Sequence, residues 1–117
     1  RYQIKHRGGM LAKGFLLGIN FDTLFTDDLY MELARHAQTL ADRLRRGLAE
    51  CQIPLLVDSP TNQIFPVLPN TMLETLSQDF SYEVWGKVDE KHTCIRLVTS
   101  WATTEETVDA FLQAVGR

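Results

Sequence analysis

The longest regular pattern in the chain runs from residue 29 to residue 48. Leu29, Leu33, Ala37, Leu40, Leu44 and Leu48 return every three or four positions, and Tyr30, Ala34 and Ala41 widen the stripe. That spacing puts them on one face of a helix. Thr26 stands ahead of it in the position of an N-cap, with Asp27 and Asp28 as first-turn carboxylates that suit the helix dipole. Arg43, Arg45 and Arg46 gather near the far end and read as a solvated face. Upstream, Leu11, Phe15, Leu16, Ile19 and Leu24 predict a more apolar helix over residues 10–25, preceded by Gly8 and Gly9. Gly14 and Gly18 lie four apart and share a face, where another helix can approach closely. A neighbour in the same subunit and one in a second subunit fit equally.

Beyond Pro54 the period changes. Residues 55–57 and 64–68 are short β-like runs separated by the turn composition DSPTN. Pro66 has no N–H to give a ladder, which predicts an edge strand or a bulge there. Asn70 opens a short helix through Met72, Leu73 and Leu76. Phe80, Tyr82, Val84 and Val88 alternate with Ser81, Glu83 and Lys87, a strand with one buried face that Trp85 and Gly86 interrupt. Residues 89–91 make a polar turn, and residues 92–99 return as the second strand of an antiparallel hairpin. Thr103 and Glu106 have capping-box spacing ahead of a final apolar stripe, Val108, Phe111, Leu112 and Val115. The order α-α-β-β-α-β-β-α predicts an α+β fold, a small antiparallel sheet with helices on one face.

Composition changes this picture little. At 117 residues the chain is one domain's worth, with an ordinary apolar fraction of 44%. A net charge of −3 gives no electrostatic case for nucleic acid or an anionic membrane. No apolar run is long enough to span a bilayer, and no signal peptide is expected. The chain opens without methionine on Arg1, Lys5, His6 and Arg7, as if in mid-protein. Cys51 and Cys94 sit in apolar contexts and read as buried free thiols, which suits a reducing, cytoplasmic compartment.

The chemistry is defined first by absence. There is no GxGxxG, P-loop, zinc spacing or HExxH. His36 lies beside the helical stripe and reads as packing, so no metal site is expected. His92 and Cys94 share a strand face only by their i, i+2 spacing, with no third group to orient them, which argues against a nucleophile pair. What remains is cationic. Arg96 stands in a strand among Cys94, Ile95, Leu97 and Val98, where both faces look at least partly buried. A guanidinium stays charged, and burying it costs several kcal/mol, as an order of magnitude, unless an anion meets it. A carboxylate matches its planar fork. Lys5, Arg7 and Lys13 surround the Gly-Gly turn. A Gly-rich turn with cations entering a helix can bind phosphate or carboxylate, and ordinary surface charge accounts for the same residues.

The segments RGGMLAKGFLLGINF, DSPTNQIFPVL and EVWGKVDEKHTCIRLVTSWATTEETVDAF resemble the C-terminal part of the low-specificity L-threonine aldolase and β-eliminating lyase family. These are fold-type-I pyridoxal-phosphate (PLP) enzymes. The resemblance covers nearly the whole chain and is most specific in IRLVTSWATTEE. The RGGM turn departs from it: Arg7 stands where better-known members have the first of three glycines, and Leu11 where they have arginine. The resemblance implies the small domain of a longer PLP enzyme, with residues 1–25 as an interdomain or interface helix region and 26–117 as the C-terminal small domain. It implies a Schiff-base lysine upstream of Arg1, and so no catalytic residue in this chain. Lys13 is not that lysine, because it follows the Gly-Gly turn that the family's lysine precedes. By position in the motif, Arg96 grips the α-carboxylate of a small amino-acid substrate. Lys5, Arg7 and Lys13 fall in the region that reaches a neighbouring subunit's active site, in a homodimer or homotetramer. The implied activity of the parent is cleavage of β-hydroxy-α-amino acids to glycine and an aldehyde, with the chain by itself inactive. A β-eliminating lyase or aminotransferase of the same fold, a non-catalytic assembly domain and a small-molecule sensor domain stand as alternatives.

Overall fold

A computed structural model describes residues 1–116. The chain divides into two compact units, residues 1–32 and the remainder from Leu33.

The first unit holds helices α1 (Tyr2–His6) and α2 (Gly14–Phe25) and the start of α3 (Leu29–Glu50). The single turn of α1 was not anticipated. It closes on Gly9, whose amide donates to Ile4 O at 2.8 Å while Gly8 turns with φ +71°. The helix expected from residue 10 begins only at Gly14, after a turn in which the Gly14 amide donates to Leu11 O. No side chain of this unit is buried, and Phe15, Ile19, Phe21 and Phe25 are all more than half exposed. Nothing lies within 4 Å of where a Cβ on Gly18 would stand, so the glycine face of α2 is open within the described residues.

The connection from α2 to α3 departs from the expected cap. Thr26 Oγ1 donates back to Asp22 O at 2.6 Å and so finishes α2 instead of starting α3. Asp27 and Asp28 then take the left-handed conformation, with φ of 52° and 62°. Aspartate tolerates that region better than most residues, which explains a sharp break here without glycine.

In the second unit the sheet is built around β4 (His92–Val98). It pairs antiparallel with β3 (Glu83–Lys87) on one side and with β1 (Gln63–Ile64) and β2 (Val67–Pro69) on the other. The run at 64–68 is split at Pro66, as its missing N–H requires. Pro66 is nevertheless interior: it is fully buried, bridges Leu55 and accepts from the Ile95 amide at 3.1 Å. Residues 55–57, expected as a strand, are reduced to that one bridge. β3 is shorter than the predicted strand because its leading aromatics are used elsewhere. Phe80 packs edge-to-face on Phe111, and Tyr82 donates its hydroxyl to Leu73 O at 2.8 Å. The register slips by one between Val84 and Gly86, a bulge at the predicted interruption.

Helices α3, α4 (Asn70–Leu76) and α5 (Glu105–Val115) cover one face of this sheet. Their buried residues, among them Leu40, Leu44, Leu48, Leu73, Val108 and Phe111, meet Ile64, Leu68 and Ile95 in a single core. The α+β expectation holds. The N-cap of α5 is Thr104, one residue later than expected, and accepts from the Thr107 amide; Thr103 Oγ1 accepts from the Ser100 amide instead. Arg43 is not merely solvated: it clamps α3 to α5 through two bonds to Asp109, at 2.8 and 2.7 Å, and one to Glu105. Hydrogen bonding to Asp109 pushes the Arg43 guanidinium further above its ordinary range.

Gly47 lets the two helices approach. A Cβ there would fall 2.3 Å from Leu112 Cδ1. Gly47→Ala should therefore destabilise the fold by about 1–2 kcal/mol in urea unfolding, the overpacking cost exceeding the better helix propensity of alanine. A stabilised Ala variant would show that Leu112 swings aside freely.

Candidate anion-binding site

Alternation along β4 points Ile95 at the helices and Arg96 at the opposite face. Arg96 shares that face with Cys94, which is fully buried, and Val98, which is 52% exposed. The side chain is thus buried at one end of the strand and open at the other; 31% of its area is exposed. Its direct partner across the hairpin is Glu83, and the Glu83 carboxylate pairs with Nη2. Trp85, thrown out by the bulge, lies with its ring centroid 5.7 Å from Arg96 Cζ, and Phe65 meets Trp85 edge-on at 5.1 Å. The guanidinium therefore has an aromatic neighbour as well as an anion.

One donor is left over. Arg96 Nε is buried and has no hydrogen-bond partner. A buried unsatisfied donor on a charged group is costly, and natural folds keep few of them. Arg96 also lines a cleft of about 540 Å³, together with Glu83, Tyr82, Thr103, Thr107 and the helix-face residue Phe111. Chemically, the Nε–Nη2 edge carries one bond, to the Glu83 carboxylate, and keeps one donor unused. Sequence reasoning found the cation and missed Glu83. The signal was the hairpin register, which a bulge at Trp85 made impossible to count from the turn alone.

The other cations lie in the first unit. Lys5 lines a shallow cavity with Arg1, Tyr2 and Met10. Arg7 is the C-cap of α1, and Lys13 is the exposed residue at the N-cap of α2. The amides of Gly8, Gly9, Gly14 and Leu16 all donate to nearby carbonyls, so the two turn glycines themselves offer no free N–H to an anion.

The two histidines near the sheet are engaged structurally. His92 Nδ1 lies 2.9 Å from Asp89 Oδ2, and His36 Nε2 lies 2.8 Å from Thr103 O. Burial pushes the Cys94 thiol up, away from a reactive thiolate. Among the described residues no cluster of three His, Cys, Asp or Glu could hold a metal ion, and no helix is long and apolar enough to cross a membrane.

Asp89 closes the hairpin turn by accepting from the Lys91 and His92 amides at 2.7 and 2.8 Å. The Lys91 amide first, then the His92 side chain, hold its carboxyl below the usual range. A depressed folded value means stability present above the unfolded pKa and lost as pH falls through the folded one. Asp89→Asn should thus flatten the acid limb of a stability–pH curve below about pH 4. An unchanged limb would remove Asp89 from the acid response.

Over 98% of its length the chain superposes on a threonine aldolase from Leishmania major, with 41% sequence identity and a TM-score of 0.89. It covers 34% of that protein, so it spans about a third of its length. A NifS-like protein matches 74% of the chain at a TM-score of 0.58 and 24% identity, with 28% of that protein covered, a likeness of fold alone. No family model matches the chain. No curated protein matches it either.

Proposed function

We propose that this chain, which has the fold of the C-terminal small domain of the fold-type-I PLP-dependent enzymes and resembles a threonine aldolase almost throughout, grips the substrate carboxylate in a PLP-dependent lyase. The substrate class is a β-hydroxy-α-amino acid, cleaved to glycine and an aldehyde. The observation that carries this reading is Arg96, a half-buried guanidinium beside an open cleft with its Nε unpartnered.

The residues present fit the carboxylate end of such a site and not the cofactor. The spare donor belongs to a guanidinium, and the only lysine that resemblance brings into question, Lys13, caps a helix in the other unit. When bound in the parent, PLP would supply the electron sink for breaking the bond at Cα. The work of this chain is positional. Arg96 would fix the carboxylate by two parallel hydrogen bonds, which sets the orientation of the substrate's Cα. Trp85 and Phe65 would wall the guanidinium on one side and limit water there.

The exposed apolar surface of α2 supports burial against the remainder of a longer protein or a second subunit, in a homo-oligomer. Lys5, Arg7 and Lys13 stand on that same unit and are the candidates for contacts with a neighbouring active site. The free thiols Cys51 and Cys94 suit a cytoplasmic location. Incubating the full-length protein with PLP and threonine tests the reading: glycine and acetaldehyde support it, whereas keto acid and ammonia would favour β-elimination.

A further inference from the structure

We propose that Glu83 is a resident competitor for the substrate carboxylate, an internal carboxylate that occupies Arg96 until substrate displaces it. The inference rests on the carboxylate-gripping reading of Arg96 and deepens it.

The geometry makes the two carboxylates rivals. Nη2 of Arg96 belongs to both two-donor edges of the guanidinium, the Nε–Nη2 edge and the Nη1–Nη2 edge. Glu83 already holds Nη2. Nε is closed to solvent and unpartnered, so the fork is half used. A second carboxylate cannot make both bonds at that edge while Glu83 stays where it is.

Glu83 is also the group able to leave. Its side chain is 59% exposed, against 31% for Arg96, so its charge can return to water at little desolvation cost. It is the first residue of β3, two positions before the bulge, and no backbone beyond it on that strand need move. Direct cross-strand pairing with Arg96 returns it to the guanidinium when the substrate departs. A half-buried arginine is thereby never left without an anion, and affinity for amino acids is held down.

The test is equilibrium binding of glycine, and of a carboxylate-free amine of similar size, to the PLP-loaded full-length protein by calorimetry. Glu83→Gln should tighten glycine about two- to fivefold, the range set by an exposed ion pair, and leave the amine unchanged. Glu83→Ala serves as the second variant, with thermal melts to confirm folding of both. Unchanged or weaker glycine binding would overturn the proposal and leave Glu83 as a structural partner of Arg96. Equal tightening of glycine and the amine would also overturn it. Failure of the underlying reading looks different: wild-type protein would bind glycine and the amine alike, before Glu83 is touched.

Discussion

On the proposed carboxylate-gripping role, replacing Arg96 by alanine in the full-length protein should lower kcat/KM for a β-hydroxy-α-amino acid by about 10²–10³-fold, or roughly 3–4 kcal/mol, as expected for truncating one partner of a partly desolvated charge pair. Arg96→Lys should fall most of the way, because an ammonium keeps the charge and loses the planar two-bond geometry. Steady-state kinetics with both variants check this. A lysine variant close to wild type would mean that charge alone suffices, and an alanine variant close to wild type would take Arg96 out of the site. Loss of Arg96 also strands Glu83, but that carboxylate is mostly exposed and can be solvated. Thermal melts should consequently move far less than kinetics.

The second large effect concerns the core beneath the site. Phe111 is 6% exposed, packs edge-to-face on Phe80 with ring centroids 5.3 Å apart, and lines the same cleft as Arg96. Phe111→Ala should cost about 3–5 kcal/mol of stability, from lost burial plus the cavity left behind. That is a large share of what a domain of this size has. Loosening Phe80 frees the segment that leads into Glu83 and so weakens the hold of Glu83 on Arg96; the milder Phe111→Leu variant should therefore tighten glycine binding before it unfolds the protein. Urea unfolding and glycine binding on the same samples separate the two effects. A near-neutral alanine variant would mean that α5 collapses to fill the gap.

These effects show which parts of the molecule could be read from sequence. The stripe of α3, the α5 stripe and the β3–β4 hairpin depend on local periodicity, and each forms, although the α3 stripe is buried only from Ala37 onward and β3 begins only at Glu83. Arg96 was legible because a permanent charge amid Cys94, Ile95 and Leu97 is a local anomaly. Other features depend on choices that periodicity does not encode. Thr26 can cap the helix after it or finish the one before it, and the back-bond to Asp22 O decides. Pro66 reads as an edge residue or a bulge, and the ladder is interrupted there while the proline itself stays inside the sheet. The Glu83–Arg96 pairing depends on one inserted residue at the bulge, and a slip of one position would have pointed Glu83 at the other face.

The apolar face of α2 illustrates a different limit. Its residues are as hydrophobic as a core helix, but none is buried in this unit. Sequence gives the apolar character of such a helix and not the surface that covers it.

The most direct test of the central claim is a crystal structure of the full-length protein with PLP and glycine bound. The account predicts the glycine carboxylate on Arg96, bonded to both Nε and Nη2, with the Glu83 carboxylate displaced from Nη2. A glycine carboxylate held by other residues, with Glu83 still paired to Arg96, would contradict it.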